Sequence, residues 1–291
     1  MSLRLLQLLL LACFSSNAIA AQTGADSTIS RIDHILIEQK TTDDSFQLFA
    51  NQLQVPVIWP MVKYGPFSSG GLYFGNVVLE FGQFAALGGV APESTRLAGI
   101  AFQPLKSAAA SMMEFDQHQI AHGPAEPFTT YREGKPQALW TNVRISGIGP
   151  ADSWLFVCEY HFDSKLRQTA AHDELQKFKG GPLGLLGVKE VIIETPDLQA
   201  ARARWKNLLS SAIEQEAGVF ALSSGPIIRL AQGKSEALRS LTIEVSSLSQ
   251  ARAALTAQSI AYDDKGKEIL LGNGNGNGNT RGLPFRLVQR D

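Results

Sequence analysis

The sequence predicts an α+β fold in which one βαβββ unit occurs four times and neighbouring units pair into two domains. The first unit sets the pattern, because the strand RIDHILIEQ (31–39) is followed by an amphipathic helix and then by three strands. This order recurs at intervals of about 55 to 65 residues, and a single unit cannot bury its own sheet. We therefore expect a first domain at 31–165, a linker at 166–185 and a second domain at 186–290.

The first unit carries the clearest helix and hairpin signals. Phe46, Phe49 and Leu53 are spaced to form one apolar stripe of a helix that covers the sheet. The segments VPVIWP, GGLYF and NVVLEFGQF read as the three following strands, with a turn at Gly75-Asn76 between the last two.

The other units repeat the same order. Their opening strands are RLAGIAFQP, VKEVIIETP and LRSLTIEVS, and each is followed by an amphipathic helix and further strands. A Gly- and Asn-rich stretch at 272–279, GNGNGNGN, lies between the last two strands and reads as a loop.

Composition and the N-terminus indicate an exported globular protein. The chain has 291 residues and a net charge of −1, so its charge gives no reason to expect binding to nucleic acid. Arg4, the apolar run LLQLLLLACF and the cleavage motif AIA predict a signal peptide at 1–20 and a periplasmic or secreted protein without a membrane span. The motif LLAC also permits a lipoprotein that is anchored through Cys13.

Several segments together resemble one known superfamily. These are IDHILI, GLYFGNVVLEFGQF, LFVCEYHFDS and GPLGLLGVKEVIIETPDLQAARARWKNLL. The chain is similar to glyoxalase-like domain proteins of the vicinal oxygen chelate superfamily, which includes glyoxalase I, extradiol dioxygenases and bleomycin-resistance proteins. The resemblance implies that each pair of units forms a cup-shaped mixed sheet. It also implies a divalent metal in the cup, held by residues from the first and last strands of each unit.

The resemblance assigns three candidate metal ligands in the first domain. They are His34 on the first strand, Glu80 in VVLEF and Glu159 in FVCEYH, with His161 as a reserve. The fourth position falls on Gly99 or Ala101, neither of which can coordinate a metal. One imidazole and two carboxylates suit Zn, Fe, Mn or Ni and leave positions open for a chelating substrate.

Two classes of function follow from this candidate site. One is a metal-assisted lyase, isomerase or dioxygenase acting on a small molecule with vicinal oxygens. The other is a non-catalytic protein that sequesters a small ligand without metal, in which His34 is a hydrogen-bonded residue of the cup.

The second domain supplies no ligand set, because its first-strand positions fall near Glu190 and on Ser240 or Leu241, and its closing strand has Arg229 in place of an acid. Cys158 reads as a buried, unreactive thiol in an apolar strand.

Overall fold

The computed structural model describes residues 28–39, 44–84, 94–272 and 282–290. The predicted signal peptide, Cys13 and all but the first residue of the GNGNGNGN loop lie outside the described residues. Within the described part of the chain, no helix is both long and apolar enough to cross a lipid bilayer.

The predicted α+β architecture is confirmed, with two eight-stranded mixed sheets that each contain two βαβββ units. The first sheet and its helices comprise β1 (Ile29–Glu38), α1 (Asp44–Gln47, continued by a π-helical turn at Leu48–Gln52), β2 (Val57–Tyr64), β3 (Phe67–Tyr73), β4 (Val78–Gln83), β5 (Arg96–Pro104), α2 (Ala108–Gln117), β6 (His122–Arg132), β7 (Lys135–Ile145) and β8 (Trp154–Tyr160).

The second sheet repeats this arrangement after the helix α3 (Lys165–Lys177). Its elements are β9 (Leu185–Thr195), α4 (Leu198–Leu208), β10 (Ile213–Glu216), β11 (Val219–Ala221), β12 (Ile227–Gln232), β13 (Ala237–Val245), α5 (Leu248–Ala257), β14 (Tyr262–Asp264), β15 (Glu268–Leu271) and β16 (Phe285–Gln289). Most of the predicted linker is therefore the helix α3 and the glycine-rich turns that follow it.

Both sheets have the same strand order. The first runs β2-β3-β4-β1-β5-β8-β7-β6, and the second runs β10-β11-β12-β9-β13-β16-β15-β14. The opening strands of the two units pair antiparallel at the centre of each sheet, and each opening strand pairs in parallel with the last strand of its own unit. The four strands β1, β4, β5 and β8 therefore meet in the middle of the first sheet.

The apolar stripe of the first helix packs as the sequence predicts. Phe46, Phe49 and Leu53 are all buried in the main hydrophobic core. Phe49 also contacts Phe285 of the last strand, with ring centroids 5.6 Å apart. One continuous core consequently includes side chains from both sheets.

A polar clamp joins the β3–β4 turn to the first strand of the second sheet. Asn76 donates from Nδ2 to the carbonyl oxygen of Val188 at 2.8 Å and accepts from its N–H through Oδ1 at 2.9 Å. The neighbouring Gly75 has a φ of +84°, and a Cβ atom there would lie 2.4 Å from the carbonyl oxygen of Leu186. The turn therefore needs glycine both for its backbone conformation and for this close approach.

We expect Asn76→Ala to lower the free energy of unfolding by about 1–3 kcal/mol, because both backbone groups of the buried Val188 lose a partner. Urea denaturation followed by circular dichroism measures this change. Asn51→Ala is the matched control, since Asn51 is exposed and contacts Gln47 on its own helix. Equal destabilisation by the two substitutions would contradict the prediction that the contacts of Asn76 with Val188 stabilise the fold.

Candidate functional site

The first sheet encloses a cavity of about 460 Å³. Its walls are largely aromatic. Phe128 and Trp140 stack with centroids 4.3 Å apart and planes 4° from parallel, and Tyr64 stacks on Phe67 at 5.4 Å. Tyr64 also meets Phe128 edge-on at 5.8 Å, which joins the outermost strands β2 and β6 across the cavity. The sheet is therefore curled into the cup that the sequence predicts.

A β-bulge places two consecutive polar residues in this cavity. Ile32 pairs with Phe102 and His34 pairs with Ala101, so Asp33 is an extra residue on β1. In a regular strand Asp33 and His34 would point to opposite faces, but at a bulge the alternation is interrupted. Both side chains line the cavity and both are buried.

Four side chains form a hydrogen-bonded chain at this point. His34 donates from Nδ1 to Asp33 Oδ2 at 2.7 Å and from Nε2 to Glu80 Oε2 at 3.0 Å. The hydroxyl of Tyr160 donates to the same Asp33 oxygen at 2.8 Å. The sequence predicts His34 and Glu80 as site residues, and the structure brings them together, but the sequence does not predict Asp33 and Tyr160. The bulge that turns Asp33 inward has no signature in a single sequence.

Contacts among these four hydrogen-bonded side chains, together with their burial, shift the pKa values of His34, Asp33 and Tyr160. Burial lowers the pKa of His34, but the hydrogen bonds to Asp33 and Glu80 outweigh burial and raise the pKa to about 10. Burial raises the pKa of Asp33, and the contacts with His34 and Tyr160 bring it below its ordinary value. Burial raises the pKa of Tyr160 well above its ordinary value, so the phenol stays neutral and donates.

Cys158 lies on the same strand as Tyr160 and also lines the cavity. Burial, together with the nearby charge of Asp33, raises the pKa of its thiol well above the ordinary value. The predicted burial of this thiol is confirmed, and a raised pKa disfavours the thiolate, which is the reactive form of cysteine.

Glu159 and His161 do not join His34 and Glu80. Alternate residues of β8, including Phe156 and Tyr160, face the aromatic cavity, and Glu159 between them faces the other side of the strand. Its Oε2 atom accepts a hydrogen bond from the N–H of Ala108 in the first turn of α2, at 2.7 Å. His161 is exposed, and its Nε2 atom is hydrogen-bonded to the hydroxyl of Thr141. Of the three predicted ligands, the structure brings His34 and Glu80 together, whereas Glu159 lies on the face of β8 that points away from the aromatic cavity.

The strand register identifies the residues that correspond to His34 and Glu80 in the second unit. The bulge on β5 falls at Ala98, which corresponds to Asp33, so Gly99 corresponds to His34. Glu80 lies opposite Leu36, two residues after His34, and Phe156 lies opposite Ala101, two residues after Gly99. Phe156 therefore corresponds to Glu80.

Neither Gly99 nor Phe156 can act as a metal ligand. A Cβ atom on Gly99 would lie 2.3 Å from the carbonyl oxygen of Trp154, so the backbones leave no room for a side chain. The ring of Phe156 instead packs edge-on against His34, with centroids 5.7 Å apart. Within the described ranges, no group of three or more His, Cys, Asp or Glu side chains converges in a way that could hold a metal ion. The residues present thus do not fit the metal site that the resemblance implies.

The second sheet carries an ion-pair network at the corresponding positions. Its bulge at Lys189 makes Glu190 the counterpart of His34, and the register makes Arg229 and Arg286 the counterparts of Glu80 and Phe156. Glu190 accepts from Arg229 Nε at 2.7 Å, from Arg286 Nη2 at 3.2 Å and from the hydroxyl of Thr242 at 2.9 Å. Burial raises the pKa of Glu190, but these contacts bring it below its ordinary value.

We predict that His34 stays protonated through neutral pH and loses its proton near pH 10. Because its folded-state pKa lies above the ordinary value of about 6.5, its contribution to stability is complete below that pH and is lost as the pH rises towards 10. Long-range ¹H–¹⁵N NMR of the ring should show imidazolium shifts at pH 7. Glu80→Gln should move the midpoint to lower pH, and a neutral ring at pH 7 in the unmodified protein would contradict the assignment.

No protein-family model and no curated protein matches the chain. Solved structures do match it. A hypothetical protein from Staphylococcus aureus has a TM-score of 0.57 and 13% identity, over 89% of this chain and 98% of its own. A mutant of 4-hydroxymandelate synthase from Streptomyces coelicolor has a TM-score of 0.54 and 12% identity, over 91% and 93%.

Homoprotocatechuate 2,3-dioxygenase from Arthrobacter globiformis is similar to the same degree. It has a TM-score of 0.54 and 12% identity, over 92% of this chain and 82% of its own. At these identities the likeness concerns the fold alone. Together with the paired βαβββ units and the two cupped sheets, it shows that the chain has the fold of the vicinal oxygen chelate superfamily.

Proposed function

We propose that the cup of the first sheet binds a small molecule with an aromatic or apolar body and a hydrogen-bonding group. The observation that carries this proposal is the aromatic cavity of about 460 Å³ with a buried polar chain on its wall. This volume is within the range of small-molecule sites, which combine apolar walls with a few placed polar groups.

The aromatic walls provide the apolar contact. The stacked pair of Phe128 and Trp140 and the pair of Tyr64 and Phe67 present ring faces and edges from four different strands. Rings in offset or edge-to-face arrangements stabilise an aromatic guest beyond the effect of area burial alone.

The polar chain supplies the directional contact. Glu80 lines the cavity, and its carboxylate can accept a hydrogen bond from a hydroxyl or amine of the ligand. Asp33 Oδ1 is buried without a hydrogen-bond partner among the described residues, and Arg31 Nη2 lies 3.9 Å from it. The carboxylate of Glu80 therefore favours a donor group on the part of the ligand that it contacts.

Matched probes test this proposal. In isothermal titration calorimetry, 4-ethylphenol should bind roughly tenfold more tightly than ethylbenzene, because its hydroxyl donates to a charged carboxylate. Trp140→Ala should weaken both probes by roughly tenfold, since it removes a wall of the cavity. Glu80→Gln should reduce the difference between the two probes.

Tyr131→Ala is the control for the wall substitution. Tyr131 lies on the same β6–β7 hairpin as Trp140, is 76% exposed and is not part of the cavity lining, so both affinities should stay unchanged. The proposal fails if neither probe binds, or if the substitutions of Trp140 and Tyr131 have the same effect.

Metal-assisted chemistry on vicinal oxygens is the second candidate. Its support is the similarity to the dioxygenase and the position of His34 beside Glu80, with Asp33 orienting the imidazole from the other side. This function ranks second because Gly99 and Phe156, at the other two central positions, cannot act as metal ligands, and a catalytic metal usually takes three protein ligands.

We also propose that the protein is exported. The support is the order of a positive residue, a short apolar run and a small-residue cleavage motif at the N-terminus.

Intact-mass spectrometry of protein purified from its native host should find a chain that begins near Ala21, or one that begins at a lipid-modified Cys13. Ala20→Arg should prevent cleavage at the first site and leave Cys13 processing unaffected, which distinguishes the two routes. A full-length chain that keeps Met1 would contradict export.

A further inference from the structure

We propose that the first cup works without a resident divalent ion, and that the Tyr160–Asp33–His34–Glu80 chain occupies the centre of the cup in its place. This goes beyond the proposed binding function, which does not depend on whether a metal ion is bound. The inference rests on the residues that stand at the four convergent strand positions, and on what each of them contacts.

Two of the four positions are closed to coordination. At Gly99 the backbone prevents coordination, because the carbonyl oxygen of Trp154 lies 2.3 Å from where a Cβ atom would be. At Phe156 the side chain prevents it, because its ring has no donor atom and packs edge-on against His34. A catalytic metal usually takes three protein ligands, and two are present here.

The two donors that remain are engaged with each other. Each ring nitrogen of His34 faces a carboxylate oxygen, at 2.7 Å on the Asp33 side and 3.0 Å on the Glu80 side. A metal ion bound between His34 and Glu80 would have to take the place of their direct contact. Tyr160 fixes the far end of the chain by donating to Asp33.

The second cup supports the inference independently. Its equivalent positions hold Glu190 between Arg229 and Arg286, again a buried charge that is satisfied by charges of the protein itself. The two cups differ in sequence at every one of these positions, yet both place complementary side-chain charges at the centre. In both cups the protein therefore neutralises this point without an ion.

The first test measures metal directly. Protein is purified without chelators, incubated separately with Zn²⁺, Ni²⁺, Mn²⁺ and anaerobic Fe²⁺, and then desalted. Inductively coupled plasma mass spectrometry should then find well below one ion per chain. Its Tm should not change with EDTA. Retention of about one ion per chain that is lost in both His34→Ala and Glu80→Ala would overturn the proposal.

A gain of function provides the second test. Phe156→His adds a third donor beside His34 and Glu80, and this variant should bind about one Zn²⁺ or Ni²⁺ per chain. Its Tm should rise by roughly 5 °C or more at a large excess of metal over Kd. Phe156→Leu is the matched control, since it opens the same space without a donor and should bind no metal.

The two tests distinguish the possible failures. A folded Phe156→His variant that binds no metal would overturn the assignment of position 156 to the centre of the cup. If that variant does not fold, the metal content of the unmodified protein still decides the proposal. Binding of 4-ethylphenol by metal-free protein is measured separately. Failure of the proposed binding function would appear as no binding of this probe, and failure of this inference would appear as a bound metal.

Discussion

The bulge at Asp33 is the feature on which the rest of the site depends. It lets two neighbouring residues of one strand face the same cavity, which a regular strand does not allow. Without it, His34 would lack the carboxylate on Nδ1, and Tyr160 would lack its acceptor. The buried imidazolium is stable only because carboxylates contact both of its nitrogens, since burial alone would favour the neutral ring.

The fold could be predicted from the sequence, but half of the site could not. Apolar periodicity and the four-fold recurrence are local patterns, so they reveal the strands, the helix stripe at Phe46 and the pairing of units. Which face a residue occupies depends on register, and a shift of one residue reverses it. Glu159 is an odd number of residues from Phe156 and so lies on the opposite face of β8, and the bulge at Asp33 reverses the face of one residue on β1.

The two cups place different charged groups at their centres. In the first cup the buried cation lies beside a large aromatic cavity, and Glu80 reaches the cavity surface. In the second, Arg229 and Arg286 extend over Glu190 and continue to the carboxylates of Glu216 and Glu268. A network of this kind is costly to break, because removing one partner leaves another buried charge unpaired. This difference agrees with the binding function that we propose for the first cup.

The contact of Tyr64 with Phe128 also affects how the protein meets other chains. These residues belong to the two outermost strands of the first sheet, whose free backbone groups could otherwise pair with a strand of another molecule. By drawing the two edges towards each other, the same rings that line the cavity make the sheet less accessible to edge-to-edge association. Loss of these aromatic side chains would then lower the solubility of the protein during expression as well as its affinity for the proposed ligand.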